Sequence, residues 1–99
     1  MNDDLPTFAV LYLRGPAWDP TAAFHQQSGV HRHRDFLAAQ HEAERLLFGG
    51  PFLDDSGGLA VYRSSSLEEL ESLLRTDATI VDGLLRYEIH PYAVAFKRP

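Results

Sequence analysis

The spacing of apolar and polar residues in the first half of this chain predicts a strand followed by a helix. Residues 8–13 form an apolar run bounded by Pro6 and Gly15, which predicts a central strand covered on both faces. From Gly29 to Glu42 or Glu44, apolar residues recur at helical spacing in an arc centred on Phe36. We therefore expect a strand, a loop and then an amphipathic helix that packs on a sheet.

The middle of the chain has the pattern of a β-hairpin. Residues 46–52 predict a second strand, and residues 59–63 predict a third. Between them lies the turn cluster Asp54-Asp55-Ser56-Gly57-Gly58, whose residue types favour a tight reversal of the backbone.

A second helix is predicted immediately after the hairpin. Ser66 and Glu69 form a capping box, in which the serine hydroxyl accepts from the third helical amide and the glutamate reaches back. Leucines at helical spacing continue from there, and the helix should end near Arg75. Residues 76–83 are expected to contain one more helical turn.

The last strand has an irregular pattern. Residues 84–89 alternate as a strand should, but beyond His90-Pro91 the apolar residues are Tyr92, Val94 and Phe96, which have the opposite parity. Because proline removes a donor from the ladder, we expect the strand to bend at His90-Pro91. Residues 92–96 would then pair across a dimer interface.

The predicted element order is β-α-β-β-α-β in one domain of residues 1–99. This order is typical of a ferredoxin-like α+β fold with a four-stranded antiparallel sheet and both helices on one face. The first strand is apolar on both parities, so its second face also needs cover. Two sheets packed face to face would supply that cover, and we therefore expect a homodimer in the form of a dimeric α+β barrel.

Composition narrows the classes of function. The 99 residues include no cysteine, which excludes disulfides and thiolate chemistry. A net charge of −5, with 9 basic and 14 acidic residues, argues against nucleic acid as a partner. There is no apolar run of membrane-spanning length, and the acidic N-terminus is not a signal peptide. We expect a cytoplasmic protein that does not bind membranes.

His33 is the strongest candidate for chemistry. On a helical wheel it lies about 60° from the centre of the apolar arc, where an imidazole can reach a cavity between the helix and the sheet. Its ordinary pKa of about 6.5 suits proton transfer near neutral pH. The alternative is a partly buried structural histidine.

The histidines do not predict a metal site. His31 and His33 point about 200° apart on a helix, and His41 lies about 12 Å along the axis from His33. Helical ligand pairs need a spacing of three or four residues. We expect no metal and no cofactor.

Other polar and aromatic residues are candidates for a binding site. An arginine near the cavity, at Arg14 or Arg34, would clamp a carboxylate or phenolate, although the more usual role of each is that of a solvated surface residue. Tyr12 would donate into the cavity or simply pack, and Gly50-Pro51 would let a strand bend beside it. The pattern does not decide the roles of three further residues: Trp18, His25 and His90.

Several of these features together resemble the YCII-related (YciI-like) family. They are His33 followed by Phe36-Leu37, the Gly50-Pro51 pair, the acidic and glycine turn, the Ser-Leu-Glu-Glu helix start, and Thr76-Asp77 before Gly83-Leu84. The resemblance covers about residues 8–97. It implies a dimeric α+β barrel akin to muconolactone isomerase, in a family that includes a dehydrochlorinase acting on a chlorinated hydroxyquinol-type compound.

The resemblance also implies a catalytic His–Asp pair, which corresponds to His33 and Asp77. Asp77 would accept a hydrogen bond from one imidazole nitrogen, or would merely cap the next helical turn. Two positions depart from the family pattern. Ala78 stands where the family has proline, and Glu44 stands where a glycine usually follows the first helix.

The main hypothesis is a cofactor-independent enzyme in which His33 transfers a proton on a small cyclic or enolisable substrate. The reaction would be that of a lyase, an isomerase or a dehydrochlorinase. Three alternatives remain open: a small-ligand-binding module without turnover, an interaction scaffold, and a haem-handling barrel with a single histidine ligand.

Overall fold

A computed structural model describes residues 5–99 and shows an antiparallel sheet combined with helices. Most of the acidic N-terminus, at residues 1–4, lies outside the described residues. The strands are β1 (Thr7–Arg14), β2 (Leu46–Pro51), β3 (Gly57–Arg63) and β4 (Leu85–Tyr92), and the helices are α1 (Val30–Glu42), α2 (Leu67–Leu74) and α3 (Ala78–Val81), with a 3₁₀ helix (Phe24–Gln26) before α1.

The sheet has the strand order β2-β3-β1-β4, and every neighbouring pair is antiparallel. Val10 of β1 lies opposite Ala60 of β3 on one side and Ile89 of β4 on the other. With a helix between β1 and β2 and another after β3, this is the ferredoxin-like α+β fold that the element order predicts.

One face of the sheet forms the hydrophobic core. Phe8, Val10 and Tyr12 of β1 are buried on this face, and α2 covers it with Leu70 and Leu74. Because side chains alternate along a strand, the face is set by the even-numbered residues of β1.

The opposite face of the sheet is also apolar at its centre. Ala9 and Leu11 of β1 lie opposite Val61 and Leu59 of β3, and the neighbouring Phe48 of β2 is 52 % exposed. Val61 is buried there without joining the main core. β1 therefore has apolar residues on both faces of the sheet, and a single chain covers the second face only in part.

The predicted bend at His90-Pro91 is wrong. β4 remains paired with β1 to its end, with Thr7 opposite Tyr92 and no shift of register. β4 is an edge strand, and an edge tolerates proline because a nitrogen that faces away from the sheet has no ladder bond to lose. The change of parity means only that Tyr92 lies on the other face from Ile89.

The irregularity in pairing lies instead in β2, where a bulge falls between Leu46 and Phe48. Leu46 is buried in the core, whereas the residues after the bulge are mostly exposed. A bulge adds one unpaired residue and bends its strand. It redirects the β2 backbone on the way to Gly50 and Pro51.

Helix α1 ends at Glu42 in a complete Schellman motif. The amide of Glu44 donates to the carbonyl of His41 and the amide of Arg45 donates to that of Gln40, both at 3.0 Å. This motif places Glu44 in the left-handed region, at φ 62°. Glu44, which stands where the family usually has glycine, therefore does not move the end of the helix. It does place a side chain at a backbone conformation that favours glycine.

The predicted cap of the second helix is confirmed in its first half. The hydroxyl of Ser66 accepts from the amide of Glu69 at 3.1 Å, whereas the Glu69 carboxylate accepts from the Ser65 hydroxyl. None of the helices within residues 5–99 has the length and apolarity needed to cross a bilayer.

Candidate functional site

Helix α1 presents polar side chains at the centre of its buried face. His33 and Gln40 are its buried residues, and their spacing of seven places them on one side of the helix. Phe36 and Leu37 flank them and are only partly buried. The arc was expected to centre on Phe36; it centres on His33 because the helix ends at Glu42 and the apolar residues beyond it belong to the next turn and to β2.

His33 forms a buried pair with Asp77. The distance between His33 Nδ1 and Asp77 Oδ2 is 2.5 Å, and the two residues are 6 % and 0 % exposed. Asp77 is the N-cap of α3, and its other oxygen accepts from the backbone amide and the hydroxyl of Thr79 at 2.9 and 2.8 Å. One carboxylate thus starts a helix and orients the imidazole.

The geometry assigns different roles to the two imidazole nitrogens. A carboxylate only accepts hydrogen bonds, so Nδ1 of His33 carries the proton that is donated to Asp77. In the neutral ring, Nε2 then holds the lone pair. Among residues 5–99, every fully buried polar side-chain atom has a hydrogen-bond partner. Nε2 of His33 has no such partner and is therefore not fully buried, so it is the accessible nitrogen of the ring.

Two buried tyrosines support the His33 ring. The ring of Tyr12 meets that of His33 edge-on, with centroids 4.6 Å apart, and the hydroxyls of Tyr12 and Tyr62 are 2.7 Å apart. Burial raises the pKa of Tyr12 well above its ordinary value, and the neighbouring Tyr62 and Asp77 act in the same direction. Burial also raises the pKa of Tyr62, although its hydrogen bond with Tyr12 opposes this. Both hydroxyls therefore stay neutral beside His33.

A cavity of about 270 Å³ opens in front of His33, between α1, the 3₁₀ helix and the sheet. Its wall is mostly apolar, and Tyr12 and His33 are buried residues of its lining. The lining residues are Tyr12, Phe24, His25, Val30, His33, Arg34, Leu37, Gly50, Pro51, Gly58 and Leu59. A larger groove, of about 630 Å³, runs between α2 and the end of α1 but holds no histidine.

The loop between β1 and α1 carries one wall of this cavity. Its shape depends on Gln27, whose buried side chain accepts from the amide of Asp19 and donates to the carbonyls of Asp19 and Ala22. Trp18 anchors the loop: it is buried in the core, with its ring 5.6 Å from that of Phe24. The loop thereby holds Phe24 and His25 over the cavity.

The structure brings together most of the residues that the sequence singled out. Tyr12, Arg34, Gly50 and Pro51 all line the cavity with His33, and Asp77 lies directly behind it. Arg14 lies outside this lining, because its guanidinium sits 5.0 Å above the Trp18 ring and donates to the carbonyl of Asp55.

Two further histidine positions are now placed. His25, which the sequence left open, lines the cavity from the 3₁₀ helix. His90 pairs with Ala9 on the outer face of the sheet, 3.6 Å from the Glu88 carboxylate. Nothing in the sequence pattern marked His25, since its position depends on how the loop folds back over α1.

Fold and site together define an α+β domain in which a buried His–Asp pair faces a small, largely apolar cavity. A model of the YCII-related domain family matches residues 10–93. The chain therefore belongs to the YCII-related family, as its motifs predicted.

A solved structure with a similar fold is that of 5-chloro-2-hydroxyhydroquinone dehydrochlorinase from Burkholderia phenoliruptrix AC1100, in complex with 2,5-dihydroxybenzoquinone. The two chains share 17 % sequence identity with a TM-score of 0.64, over 88 % of this chain and 93 % of the other. At this identity the comparison shows a common fold. No curated protein matches the sequence.

Proposed function

We propose that this protein is a small-molecule enzyme in which His33 is the general base and acid and Asp77 orients it. The observation that carries the proposal is the pair itself, with Nδ1 at 2.5 Å from a buried carboxylate and Nε2 accessible from a cavity. A carboxylate behind an imidazole holds the tautomer and stabilises the imidazolium that forms on proton transfer.

The chemistry follows from the nitrogen that faces the cavity. Nε2 takes a proton from a carbon next to a carbonyl group, and the electron pair of the broken C–H bond moves to the carbonyl oxygen as an enolate. An isomerase returns the proton from the imidazolium to another carbon. A lyase uses the enolate electrons to expel a leaving group as an anion, such as chloride, and the imidazolium loses its proton to water.

The substrate class that fits is small, cyclic and enolisable. Ligand cavities for drug-sized molecules span about 300–1,000 Å³, and this cavity, at about 270 Å³, suits a single ring. Tyr12, Arg34, Gly50 and Pro51 are proposed to contact it. The related fold of the dehydrochlorinase, whose bound ligand is a dihydroxybenzoquinone, agrees with this class of compound.

The second apolar face of the sheet supports a homodimer. Ala9, Leu11, Leu59 and Phe48 share this face, and a solvated sheet face normally carries polar residues instead. We propose that a second copy covers it, so that the two sheets form a dimeric α+β barrel.

Hydrogen–deuterium exchange tests the base even while the net reaction is unidentified. An enzyme that forms enolates exchanges the α-protons of its ligand with deuterium from the solvent, which proton NMR follows directly. We expect exchange among cyclic ketones and lactones at the carbon next to the carbonyl group, and among phenols at ring carbons through their keto tautomers. His33→Gln should slow it by about 10²- to 10⁴-fold.

The matched control is His31→Gln, which changes an exposed histidine of the same helix outside the cavity. It should leave exchange unchanged. Undiminished exchange in a folded His33→Gln protein would exclude His33 as the base. Binding that survives in both variants, with no exchange by the wild type, would instead identify a ligand-binding module.

A further inference from the structure

The titratable side chains that line the cavity are neutral or basic. Its titratable lining residues are Tyr12, His25, His33 and Arg34, and no carboxylate within residues 5–99 lines it. The chain as a whole has 14 acidic against 9 basic residues. The side chains that line the cavity are therefore neutral or basic in an acidic protein. The Asp77 carboxylate lies behind His33 and is occupied by its hydrogen bonds with His33 and Thr79.

Arg34 differs from other arginines nearby in having no partner. Arg32 pairs with Asp82 at 2.8 Å, and Arg45 donates to the Gln40 side chain at 2.8 Å. In the described part of the chain, Arg34 makes no hydrogen bond or ion pair with another residue, although it adjoins His33 in α1 and lines the cavity. Its guanidinium is thus available to a ligand.

His25 faces the same cavity from the other side. It lies on the 3₁₀ helix that the Gln27 side chain holds in place, and within residues 5–99 its imidazole has no hydrogen-bond partner. A neutral imidazole has one N–H donor and an imidazolium has two, so His25 offers a donor in either protonation state. Arg34 and His25 therefore supply two unpaired donors at the cavity.

We propose that the cavity selects a single-ring anion, whose carboxylate or phenolate oxygen is bound by Arg34 and His25. The ring packs against the apolar wall formed by Phe24, Leu37 and Pro51, and its acidic position faces Nε2 of His33. This inference rests on the proposed function and adds the charge of the substrate. Arg34 is the stronger determinant, because a guanidinium keeps its charge and binds carboxylates in a bidentate manner.

The preference for charge can be measured with two probes of nearly the same shape. Benzoate and benzamide differ in charge but share a ring, and calorimetric titration gives the affinity of each. We expect benzoate to bind the wild-type protein at least about tenfold more tightly, which corresponds to about 1.4 kcal/mol. Arg34→Gln should abolish this preference, and His25→Gln should reduce it by a smaller factor.

The control variants change the same residue types on the same surface. Arg32→Gln and His31→Gln remove exposed side chains of α1 that do not line the cavity, and both should retain the preference. Equal or tighter binding of benzamide overturns the inference, as does a preference that survives in Arg34→Gln or the absence of benzoate binding at millimolar concentration.

The exchange assay separates failure of this inference from failure of the proposed function. If neutral cyclic ketones exchange their α-protons in a His33-dependent reaction while benzoate shows no preference, the base is retained and the anion site is rejected. If benzoate is preferred but no ligand exchanges protons, the anion site is retained and the catalytic proposal is rejected.

Discussion

The replacement Asp77→Asn tests the buried pair with little change of shape. Asp77 accepts three hydrogen bonds, one from His33 Nδ1 and two from Thr79. Because the Thr79 backbone amide can only donate, it holds the amide oxygen of the new asparagine on its own side. The NH₂ group then faces His33, whose Nδ1 must accept instead of donate. The single proton of the neutral ring therefore moves to Nε2, and the base is lost from the cavity.

The expected effect on activity is large, and the effect on stability is small. In the comparable replacement within a serine-protease triad, the wrong tautomer lowers turnover by about 10⁴-fold, and we expect a similar loss of α-proton exchange. Asparagine caps a helix about as well as aspartate. Exchange of a charge-assisted bond for a neutral one costs about 1 kcal/mol, which lowers Tm by about 4–8 °C for a domain of this size.

Two-bond ¹H–¹⁵N correlation spectra of the histidine rings report the tautomer directly, at a pH where His33 is neutral. The wild-type spectrum should show a protonated Nδ1, and the Asp77→Asn spectrum a protonated Nε2. Asp82→Asn, which breaks the exposed pair with Arg32, is the control and should leave the His33 signals unchanged. If Asp77→Asn retains a protonated Nδ1 or full exchange activity, the role assigned to Asp77 is refuted.

The remaining predictions concern stability and assembly. Glu44→Gly should stabilise the fold by about 0.5–1 kcal/mol in urea unfolding, because Glu44 has a φ of 62°, a conformation that glycine adopts without strain. The control Ala43→Gly, in the same turn at φ −81°, should destabilise the fold. A loss of stability in Glu44→Gly contradicts the strain assigned to Glu44. Because the pKa values of Tyr12 and Tyr62 are raised in the folded state, their contribution to the free energy of unfolding is complete below about pH 10 and is lost as the pH rises above it, by up to about 1.4 kcal/mol per pH unit for each group. Tyr12→Phe should therefore reduce the loss of stability at alkaline pH that urea unfolding measures. An unchanged slope of stability against pH contradicts this role of Tyr12. Leu11→Glu, on the partly covered sheet face, should convert a dimer into a folded monomer by light scattering, and a monomeric wild type at micromolar concentration rejects the dimer.

The fold followed closely from local pattern. Seven of the elements were predicted in the correct order, including the helical turn within residues 76–83 that the structure has as α3. The apolar run of β1, the hairpin turn and the Ser66 cap are each specified by residues near one another in sequence. The predicted bend at Pro91 failed for the opposite reason. Whether a strand tolerates proline depends on whether another strand pairs on that side, and the position of β4 at the sheet edge is not a local property.

The candidate site was predictable only in part. Helix periodicity placed His33, and Tyr12 was a candidate because it lies on the first predicted strand. Arg34 was a candidate only as a neighbour of His33 in sequence, and the partnership of His33 with Asp77 was implied by resemblance to the family. His25 was missed, because a residue in a long loop has no periodicity from which its direction can be inferred. The buried Gln27 that holds this loop looks like any other polar loop residue until its three hydrogen bonds are seen.

The sequence by itself determined the α+β element order and the histidine at the start of the first helix, since periodicity and capping act over a few residues. Only the tertiary structure decided that His33 is the centre of the buried face, that its Nδ1 meets a carboxylate 44 residues away, and that Nε2 remains accessible from a cavity. Those properties depend on the packing of α1 against α3 and the sheet, and packing between distant segments is not encoded in any short stretch of sequence.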